Sequence, residues 1–174
     1  QWSLVGSEMC IRDSQYIDFA VNGPLVDSDG LPVGGYIDNT TQKQAWTKPE
    51  DGNFAVDNGI FGLGVDGKVK MVSYSKRHTL GEMRWAIQNG PMLVKDGKNV
   101  RGTSQSKYKR SGIGYNEKTK TFIVIISMKP ITFRDFAELF VQEGCAVDIY
   151  LDGGPYVGYC DNKKTEGMKS EAVK

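Results

Sequence analysis

Glycine-containing turns recur along this chain at short intervals, and the apolar runs between them are too short for long helices. The chain has 21 glycines among 174 residues, and they cluster at turn positions rather than forming a repeat. Apolar runs of about 4–8 residues bounded by such turns are typical of β-strands. The clearest hairpin pairs residues 60–65 with 68–72 around Asp66-Gly67, a dipeptide that tolerates the positive φ angles of a type I′ turn. The chain is therefore expected to be rich in short strands.

Other parts of the sequence carry the same strand pattern. The further strands are predicted at residues 17–21, 32–37, 53–56, 92–94, 112–115, 121–127, 146–151 and 156–160. The run 121–127 is apolar nearly throughout, which predicts a strand buried on both faces. The Lys-, Arg- and Ser-rich stretch 99–109 predicts an exposed loop.

Two segments have the periodicity of a helix instead. Thr79 and Glu82 form a capping-box pattern before an apolar stripe of Leu80, Met83, Ala86 and Ile87. Thr132 is predicted to cap a second helix that has Asp135 at its third position and Gly144 at its end. The stripe of that second helix consists of Phe133, Phe136, Ala137, Phe140 and Val141. Because strands and helices do not alternate regularly, the predicted class is α+β, a largely antiparallel or mixed sheet with two main helices packed on it.

The two ends of the chain differ from the rest. Residues 1–14 lack a starting Met and any periodicity, and they resemble translated sequencing-adaptor read-through, so we exclude them from the fold prediction. A native strand and turn is the alternative. Cys10 falls within this stretch. Residues 15–160 are predicted to form one domain, and the polar stretch 161–174 a disordered tail.

The bulk composition narrows the function classes. Lys and Arg number 22 against 21 Asp and Glu, a net charge of +1, so no strong field favours nucleic acid as a partner. No apolar run approaches the roughly 18–20 residues of a membrane span. A hydrophobic fraction of 39% is ordinary for a globular domain.

Conventional catalytic and metal motifs are absent from the sequence. His78 has no second histidine at metal-binding spacing, and its charged neighbours predict a surface position. No phosphate-binding glycine loop, dinucleotide fingerprint or serine-nucleophile elbow occurs. Cys145 and Cys160 lie in short apolar stretches, which favours reduced core thiols over a disulfide. We therefore predict neither a cofactor nor a metal.

Polar residues beside glycine recur at five predicted turns. These turns are Asn22-Gly23, Asn58-Gly59, Gln88-Asn89-Gly90-Pro91, Arg110-Ser111-Gly112 and Asp152-Gly153-Gly154. Any single one is explained by turn formation alone, but glycine also lets backbone approach a ligand closely. Asp152 follows an apolar strand that only Asp148 interrupts, and a carboxylate there can act as acid, base or nucleophile. The planar guanidinium of Arg110 suits a phosphate. These residues predict a polar site whose reaction they leave open.

Six segments in the same order resemble the phosphodiester glycosidase domain, and most closely its bacterial periplasmic branch. They are FAVNGPLVDSDGLPVGGYI, NFAVDNGIFGL, AIQNGPMLVKDGK, RSGIGYNEKTKTFIVIIS, PITFRDFAELFVQEGC and IYLDGG, which together cover roughly residues 18–160. The chain departs from the family pattern at Pro24-Leu25 and at Asn89. The family's first strands have no counterpart, so the resemblance implies an N-terminally truncated domain.

The resemblance implies hydrolysis of a sugar-1-phosphate diester, small or glycan-borne, on its glycosidic side, with N-acetylglucosamine as the family's typical sugar. Asp152 then has an acid/base or oxocarbenium-stabilising role, and Arg110 contacts the phosphate. The implied substrate-binding positions are Asn22, Gly23, Asn58, Gln88, Asn89, Gly90, Ser111, Gly153 and Gly154, among which Asn22, Gln88 and Asn89 orient sugar hydroxyls. Family members are typically exported, so a periplasmic or secreted location is expected.

Two other functions fit the same scaffold. One is a non-catalytic module that binds carbohydrate or cell wall. The other is a phosphodiesterase that cleaves the P–O bond, although such enzymes usually need a metal cluster of carboxylates and histidines, and this chain has a single histidine. The natural sugar, the group on the other side of the phosphate and the oligomeric state stay open at this point.

Overall fold

The computed structural model of the chain describes residues 19–48, 57–101, 105–161 and 165–166. Within these ranges it has thirteen β-strands and one α-helix. In chain order they are β1 Phe19–Val21, β2 Tyr36–Asp38, β3 Thr41–Gln44, β4 Gly59–Gly64, β5 Val69–Ser73, β6 Met83–Asn89, β7 Val94–Lys95, β8 Lys98–Asn99, β9 Tyr108–Asn116, β10 Thr121–Ile131, α1 Phe133–Gln142, β11 Val147–Tyr150, β12 Tyr159–Asp161 and β13 Thr165–Glu166. Short 3₁₀ helices occupy Tyr74–Thr79 and Gly154–Tyr156.

The strands form four antiparallel sheets in the described part of the chain. The largest has the order β3-β2-β6-β4-β5, and a three-stranded sheet has the order β10-β9-β11. A second three-stranded sheet has the order β1-β12-β13, and β7 pairs with β8. The predicted α+β class with a largely antiparallel sheet is confirmed.

The predicted helix at Leu80, Met83, Ala86 and Ile87 is wrong. Leu80 caps the 3₁₀ helix Tyr74–Thr79, and the next residues form the extended strand β6. The two faces of this strand pack into different clusters, Ile87 with Met71 and Ile149 and Ala86 with Ile60 and Leu80, so the adjacent side chains Ala86 and Ile87 are both buried. Consecutive buried residues in a central strand imitated a helical stripe, which local periodicity cannot distinguish.

The β4–β5 hairpin is confirmed, but its turn differs from the prediction. Gly67 has a φ of +77° whereas Asp66 does not have a positive φ, which excludes a type I′ turn. The Gly67 amide donates to the Gly64 carbonyl at 3.0 Å, and the Gly64 amide donates to the Lys68 carbonyl at 2.8 Å. This is a type I turn followed by a glycine bulge, the usual three-residue hairpin loop.

The β10-β9-β11 sheet has longer strands than predicted, and β10 is less buried than predicted. β9 begins at Tyr108, inside the stretch predicted as a loop, and β10 continues to Ile131. Residues 122–128 are half-buried instead of fully buried. The reason is the position of β10 at the end of the sheet order, where one long side of the strand has no described neighbour.

Helix α1 begins and ends as the sequence predicts. The Thr132 hydroxyl accepts a hydrogen bond from the Asp135 amide at 3.0 Å, and Gly144 has a φ of +72° beyond the last turn. Phe136 and Phe140 of the apolar stripe are fully buried. They pack directly on β9, where a Cβ on Gly114 would lie 2.6 Å from the Phe140 ring. Helix and sheet approach this closely because β9 carries glycine there.

A second core separates the two larger sheets. Met71 and Ile87 of the five-stranded sheet pack against Ile113, Ile149 and Leu151. The chain is thus layered, with the five-stranded sheet, the β10-β9-β11 sheet and α1 stacked in that order. The ends of β6 and β11 and the first half of β9 meet at one end of these layers.

Several predictions concern the ends of the chain and single side chains. Residues 1–18, the strand 53–56 and most of 161–174 lie outside the described residues, although Thr165–Glu166 within the predicted tail pairs with β12. Cys145 is a free, buried thiol whose pKa burial raises to about 11. His78 is exposed, as predicted. No helix among the described residues is long and apolar enough to cross a membrane.

Candidate functional site

Two of the predicted polar segments contact the backbone of Asp152, the turn at Asn22-Gly23 and the segment at Ser111, which lies within strand β9 and not in a turn as predicted. The Asp152 carbonyl accepts hydrogen bonds from Asn22 Nδ2 at 2.6 Å and from Ser111 Oγ at 2.8 Å. The Asp152 amide donates to the Gly23 carbonyl at 3.1 Å. The turn after β1 and the start of β9 are therefore bound to the backbone of one residue after the end of β11, although Asn22 and Asp152 are 130 residues apart.

The end of β6 joins the same cluster through Asn89. Asn89 Nδ2 donates to the Tyr150 carbonyl at 2.6 Å, and its Oδ1 accepts from the Leu25 amide at 3.3 Å. The side chain is fully buried. Asn89 thus links β11 to the loop that follows Asn22, and the Gly90–Pro91 peptide beyond it is cis.

Gln88 and Asn58 are buried behind the residues that contact Asp152, and they do not face a ligand as predicted. Gln88 Oε1 accepts from the Gly35 amide at 2.9 Å and the Thr47 amide at 2.8 Å. Gln88 Nε2 donates to the Thr47 carbonyl at 2.6 Å and to Asn58 Oδ1 at 2.7 Å. These four bonds use the full capacity of a glutamine amide, and both side chains are fully buried. Gln88 therefore holds neighbouring segments in place, and none of its hydrogen-bonding groups is available to a ligand.

The Asp152 carboxyl is the titratable side chain that lies beside these hydrogen bonds. The residue is half-buried at the end of β11, and its Oδ1 accepts from the Gly153 amide at 2.7 Å. Burial raises the pKa of Asp152, and the Gly153 amide lowers it by a smaller amount. A carboxyl group with a raised pKa keeps its proton closer to neutral pH, which suits a general acid.

Gly153 is packed against the β9 backbone and Tyr150. A Cβ at this position would overlap the Tyr150 hydroxyl and lie 3.2 Å from the Lys109 carbonyl oxygen. Gly154 has a φ of +66° and open space around it. The glycine after Asp152 is therefore required by the close approach of Tyr150.

Arg110 is buried beneath the site instead of facing it. Its side chain is 2% exposed, and Nε donates to the Ile131 carbonyl at 2.9 Å. One terminal nitrogen donates to the Ser106 carbonyl at 2.9 Å, and the guanidinium lies 3.5 Å from the centre of the Phe133 ring. Burial lowers the pKa of Arg110, while Tyr150 raises it through charge and a hydrogen bond. This geometry does not offer the predicted direct contact with a phosphate, because the side chain projects to the helix side of β9.

Asp148 is a part of this region that the site prediction missed. It is fully buried, and its Oδ1 accepts from the amides of Leu93 at 2.7 Å and Val94 at 2.6 Å. Burial raises the pKa of Asp148 to about 7. The available signal was a single charged residue interrupting the apolar run 147–151.

Other concave or acidic features lie away from Asp152. A shallow groove of about 460 Å³ is lined by Lys68, Val69, Tyr115, Lys120 and Phe122, at the opposite end of the two sheets. It has no carboxylate, so we place the candidate site at Asp152. Within residues 19–48, 57–101, 105–161 and 165–166, no group of three or more His, Cys, Asp or Glu could hold a metal ion.

Fold and site together define the class, an α+β domain whose polar site is built from strand-end turns around one carboxyl group. Residues 15–169 match the sequence profile of the phosphodiester glycosidase family, and the chain belongs to this family. It is a family of hydrolases.

The chain is also similar to one curated protein and to two solved structures. The chain is 30% identical over 169 residues to an uncharacterized protein, YigE, of Escherichia coli K12, covering 88% of this chain and 66% of that protein. Its fold is similar to the catalytic domain of zebrafish N-acetylglucosamine-1-phosphodiester alpha-N-acetylglucosaminidase auto-inhibited by its pro-peptide (TM-score 0.61, 17% identity, 85% of this chain, 54% of that chain). It is also similar to a hypothetical protein from Synechocystis (TM-score 0.57, 12% identity, 92% and 50%). The chain thus spans about half of each of these structures.

Proposed function

We propose that this chain carries the catalytic part of a hydrolase that cleaves a sugar-1-phosphate diester on the glycosidic side. Family membership supports the reaction class. The observation that carries the proposal is the half-buried Asp152 carboxyl at the point where the turns after β1, β6 and β11 and the start of β9 meet. Such a convergence supplies several polar groups around one acid, which is what a sugar and its leaving group require.

In the proposed reaction, the bond between sugar C1 and the phosphate oxygen breaks. Water supplies the oxygen that ends on C1, and the proton that this water loses either goes to the departing phosphate monoester or replaces the proton that Asp152 has donated to it. Asp152, with its pKa raised by burial, gives a proton to the leaving oxygen or, when ionised, stabilises the oxocarbenium-like transition state. A phosphate is a good leaving group, so this step needs less acid assistance than an ordinary glycoside.

Arg110 has an indirect role in this proposal. Its guanidinium lies 5.8 Å from the centre of the Tyr150 ring, and the Tyr150 hydroxyl lies against Gly153, so the buried positive charge is close to the Asp152–Gly154 turn. A fixed cation there favours an anionic substrate at the turn without direct contact. Asn22 and Asn89 hold the turn in place through the carbonyls of Asp152 and Tyr150.

The test uses a synthetic diester of N-acetylglucosamine 1-phosphate and ¹⁸O-labelled water. We expect the label in the released sugar, and Asp152→Asn to lower kcat/KM by about 10²–10⁴-fold. Asp29→Asn, at an exposed position, is the matched control and should retain activity.

Three outcomes would contradict the proposal in different ways. Label in the phosphate would identify P–O cleavage. Unchanged activity in Asp152→Asn would remove Asp152 from the chemistry. A diester that binds in calorimetry but is recovered intact would identify a binding module on the same scaffold.

A further inference from the structure

The segment from Asn89 to Gly97 runs along the outer edge of β11. β11 is the last strand of its sheet among the described strands, so one of its long sides is not covered by a neighbouring strand of that sheet. Asn89 Nδ2 donates to the Tyr150 carbonyl at 2.6 Å, and the Tyr150 amide donates to the Pro91 carbonyl at 3.2 Å. Further along, the Gly97 amide donates to the Ala146 carbonyl at 2.9 Å. The segment is therefore fastened at both ends of the strand.

Asp148 makes the fastening in the middle. Its Oδ1 accepts both the Leu93 amide at 2.7 Å and the Val94 amide at 2.6 Å. This side-chain oxygen replaces the backbone carbonyls of a neighbouring strand as the acceptor, because it pairs two buried amides that would otherwise have no partner. Asp148 and Tyr150 are two residues apart on one face of β11, so the Asp148 bonds and the Asn89 bond share a single short stretch of backbone.

The environment of the Asp148 carboxyl disfavours its ionised form. It is 0% exposed, and its Oδ2 has no hydrogen-bond partner among the described residues. Burial raises its pKa to about 7 against the lowering effects of the Val94 and Leu93 amides and of the Arg101 charge.

The charged and titratable groups around Asp148 come from three directions. Arg101 approaches from the segment after β8, and its Nε is held by the Met92 carbonyl at 3.0 Å. Cys145 lies before β11, and its thiol has a pKa of about 11, so it does not titrate near neutral pH. Asp57 forms an ion pair with Lys95 and also acts electrostatically on Arg101.

We propose that Asp148 is a positioning residue, whose neutral carboxyl holds the 89–94 segment on β11 and thereby fixes Asn89 relative to Asp152. Ionisation places a full charge on a buried group with one unpaired oxygen. The Leu93 and Val94 amides favour the ionised carboxyl, but they do not offset the effect of its burial. The charge is relieved by water entry at Oδ2 or by displacement towards Arg101, and a displaced carboxyl moves Oδ1 away from the Leu93 and Val94 amides. The kinetic consequence rests on the proposed function, whereas the structural coupling does not.

The structural coupling is tested by NMR of the intact chain between pH 5 and 9. We expect the Leu93 and Val94 amides and the Asn89 side-chain NH₂ to shift together, with a midpoint near 7. Asp148→Asn keeps an oxygen for both amides but cannot ionise, so this joint shift should disappear. Asp38→Asn, at an exposed strand position, is the control and should retain it. An Asn89 signal that does not follow the wild-type midpoint, or that follows it equally in Asp148→Asn, would overturn the proposal.

The kinetic arm compares kcat of the wild type with kcat of Asp148→Asn on the sugar-phosphate diester. One ionisation with a midpoint near 7 lowers the neutral fraction about tenfold between pH 6 and 8. The kcat ratio of wild type to variant should fall by about this factor while the ratio of KM values stays level. A kcat ratio independent of pH contradicts the proposal. A chain inactive on every diester contradicts the proposed function instead, and the NMR result then decides the role of Asp148.

Discussion

At the scale of single residues, Asp148 should make the stability of this protein depend on pH in an unusual direction. Its pKa is raised from 3.8 to about 7, so folding favours the protonated form. Stability from this group is fully present below about pH 4 and is lost as the pH rises to 7, above which it is constant. Three pH units correspond to on the order of 4 kcal/mol.

The measurement is urea unfolding of wild type and Asp148→Asn at pH 4, 5.5, 7 and 8.5. The difference in unfolding free energy between the two should favour the wild type most at pH 4 and level off above 7. Using the difference removes the contributions of the other carboxyl groups. A difference that is constant across this range would show that Asp148 has an ordinary pKa.

Gly153→Ala should destabilise the fold through a single steric contact. The new Cβ overlaps the Tyr150 hydroxyl, and the nearby Lys109 carbonyl prevents an easy shift. Overpacking of this kind costs about 1–3 kcal/mol. Chemical denaturation of Gly153→Ala in wild-type and Tyr150→Phe backgrounds checks this, because removing the hydroxyl should recover part of the loss. Equal losses in the two backgrounds would place the cause elsewhere.

At the scale of elements, Gln88 anchors β6 to segments far away in sequence. Gln88→Glu replaces a two-donor amide with a group that cannot donate to the Thr47 carbonyl and Asn58 Oδ1 when ionised. Leaving these buried groups unpaired, together with a buried charge, should cost about 3 kcal/mol or more. The unfolding midpoint measures the loss, and Gln42→Glu on the exposed strand β3 is the matched control with little expected effect. Similar midpoints for the two variants would mean that the Gln88 network contributes nothing.

The sequence predicted those elements whose signals are local. The cap at Thr132, the glycine after α1 and the β4–β5 hairpin depend on residues within a few positions of each other, and all three are present. The helix predicted at 80–87 failed because the two faces of β6 are buried by two different clusters, which include residues from distant segments of the chain. Periodicity read along one segment contains no information about strands that arrive from elsewhere in the chain.

The site shows the same division between local and distant causes. The turns at Asn22, Asn89 and Asp152 were identified because glycine or proline follows a polar side chain. The burial of the Arg110 side chain was not predicted, because it depends on Phe133 of α1, which packs over the guanidinium. The role of Asp148 depends on two amides 55 and 54 positions away. Residue types therefore predicted segments that come together in the fold, whereas tertiary packing decides how deeply each of their side chains is buried.

At the scale of the whole molecule, the candidate site is a junction of elements from several sheets. Asp152 receives Asn22 from the turn after β1 and Ser111 from β9, and Asn89 at the end of β6 adjoins it through Tyr150. A ligand seated on this junction contacts segments from three different sheets. Its binding should therefore stabilise the domain as one unit.

We expect the phosphonate analogue of the N-acetylglucosamine-1-phosphate diester to raise the melting temperature. At a ligand concentration of 100 times Kd, with Kd first measured by calorimetry, binding adds about 2.7 kcal/mol. For a domain of this size that corresponds to roughly 5–11 °C.

Because Asp152→Asn keeps the backbone groups of the junction, it should retain most of this shift while losing turnover. Asn22→Ala removes the bond to the Asp152 carbonyl and should reduce the shift, with Gln42→Glu as the unaffected control. An equal shift in Asn22→Ala and wild type, measured at the same ligand concentration, would place the ligand somewhere other than this junction.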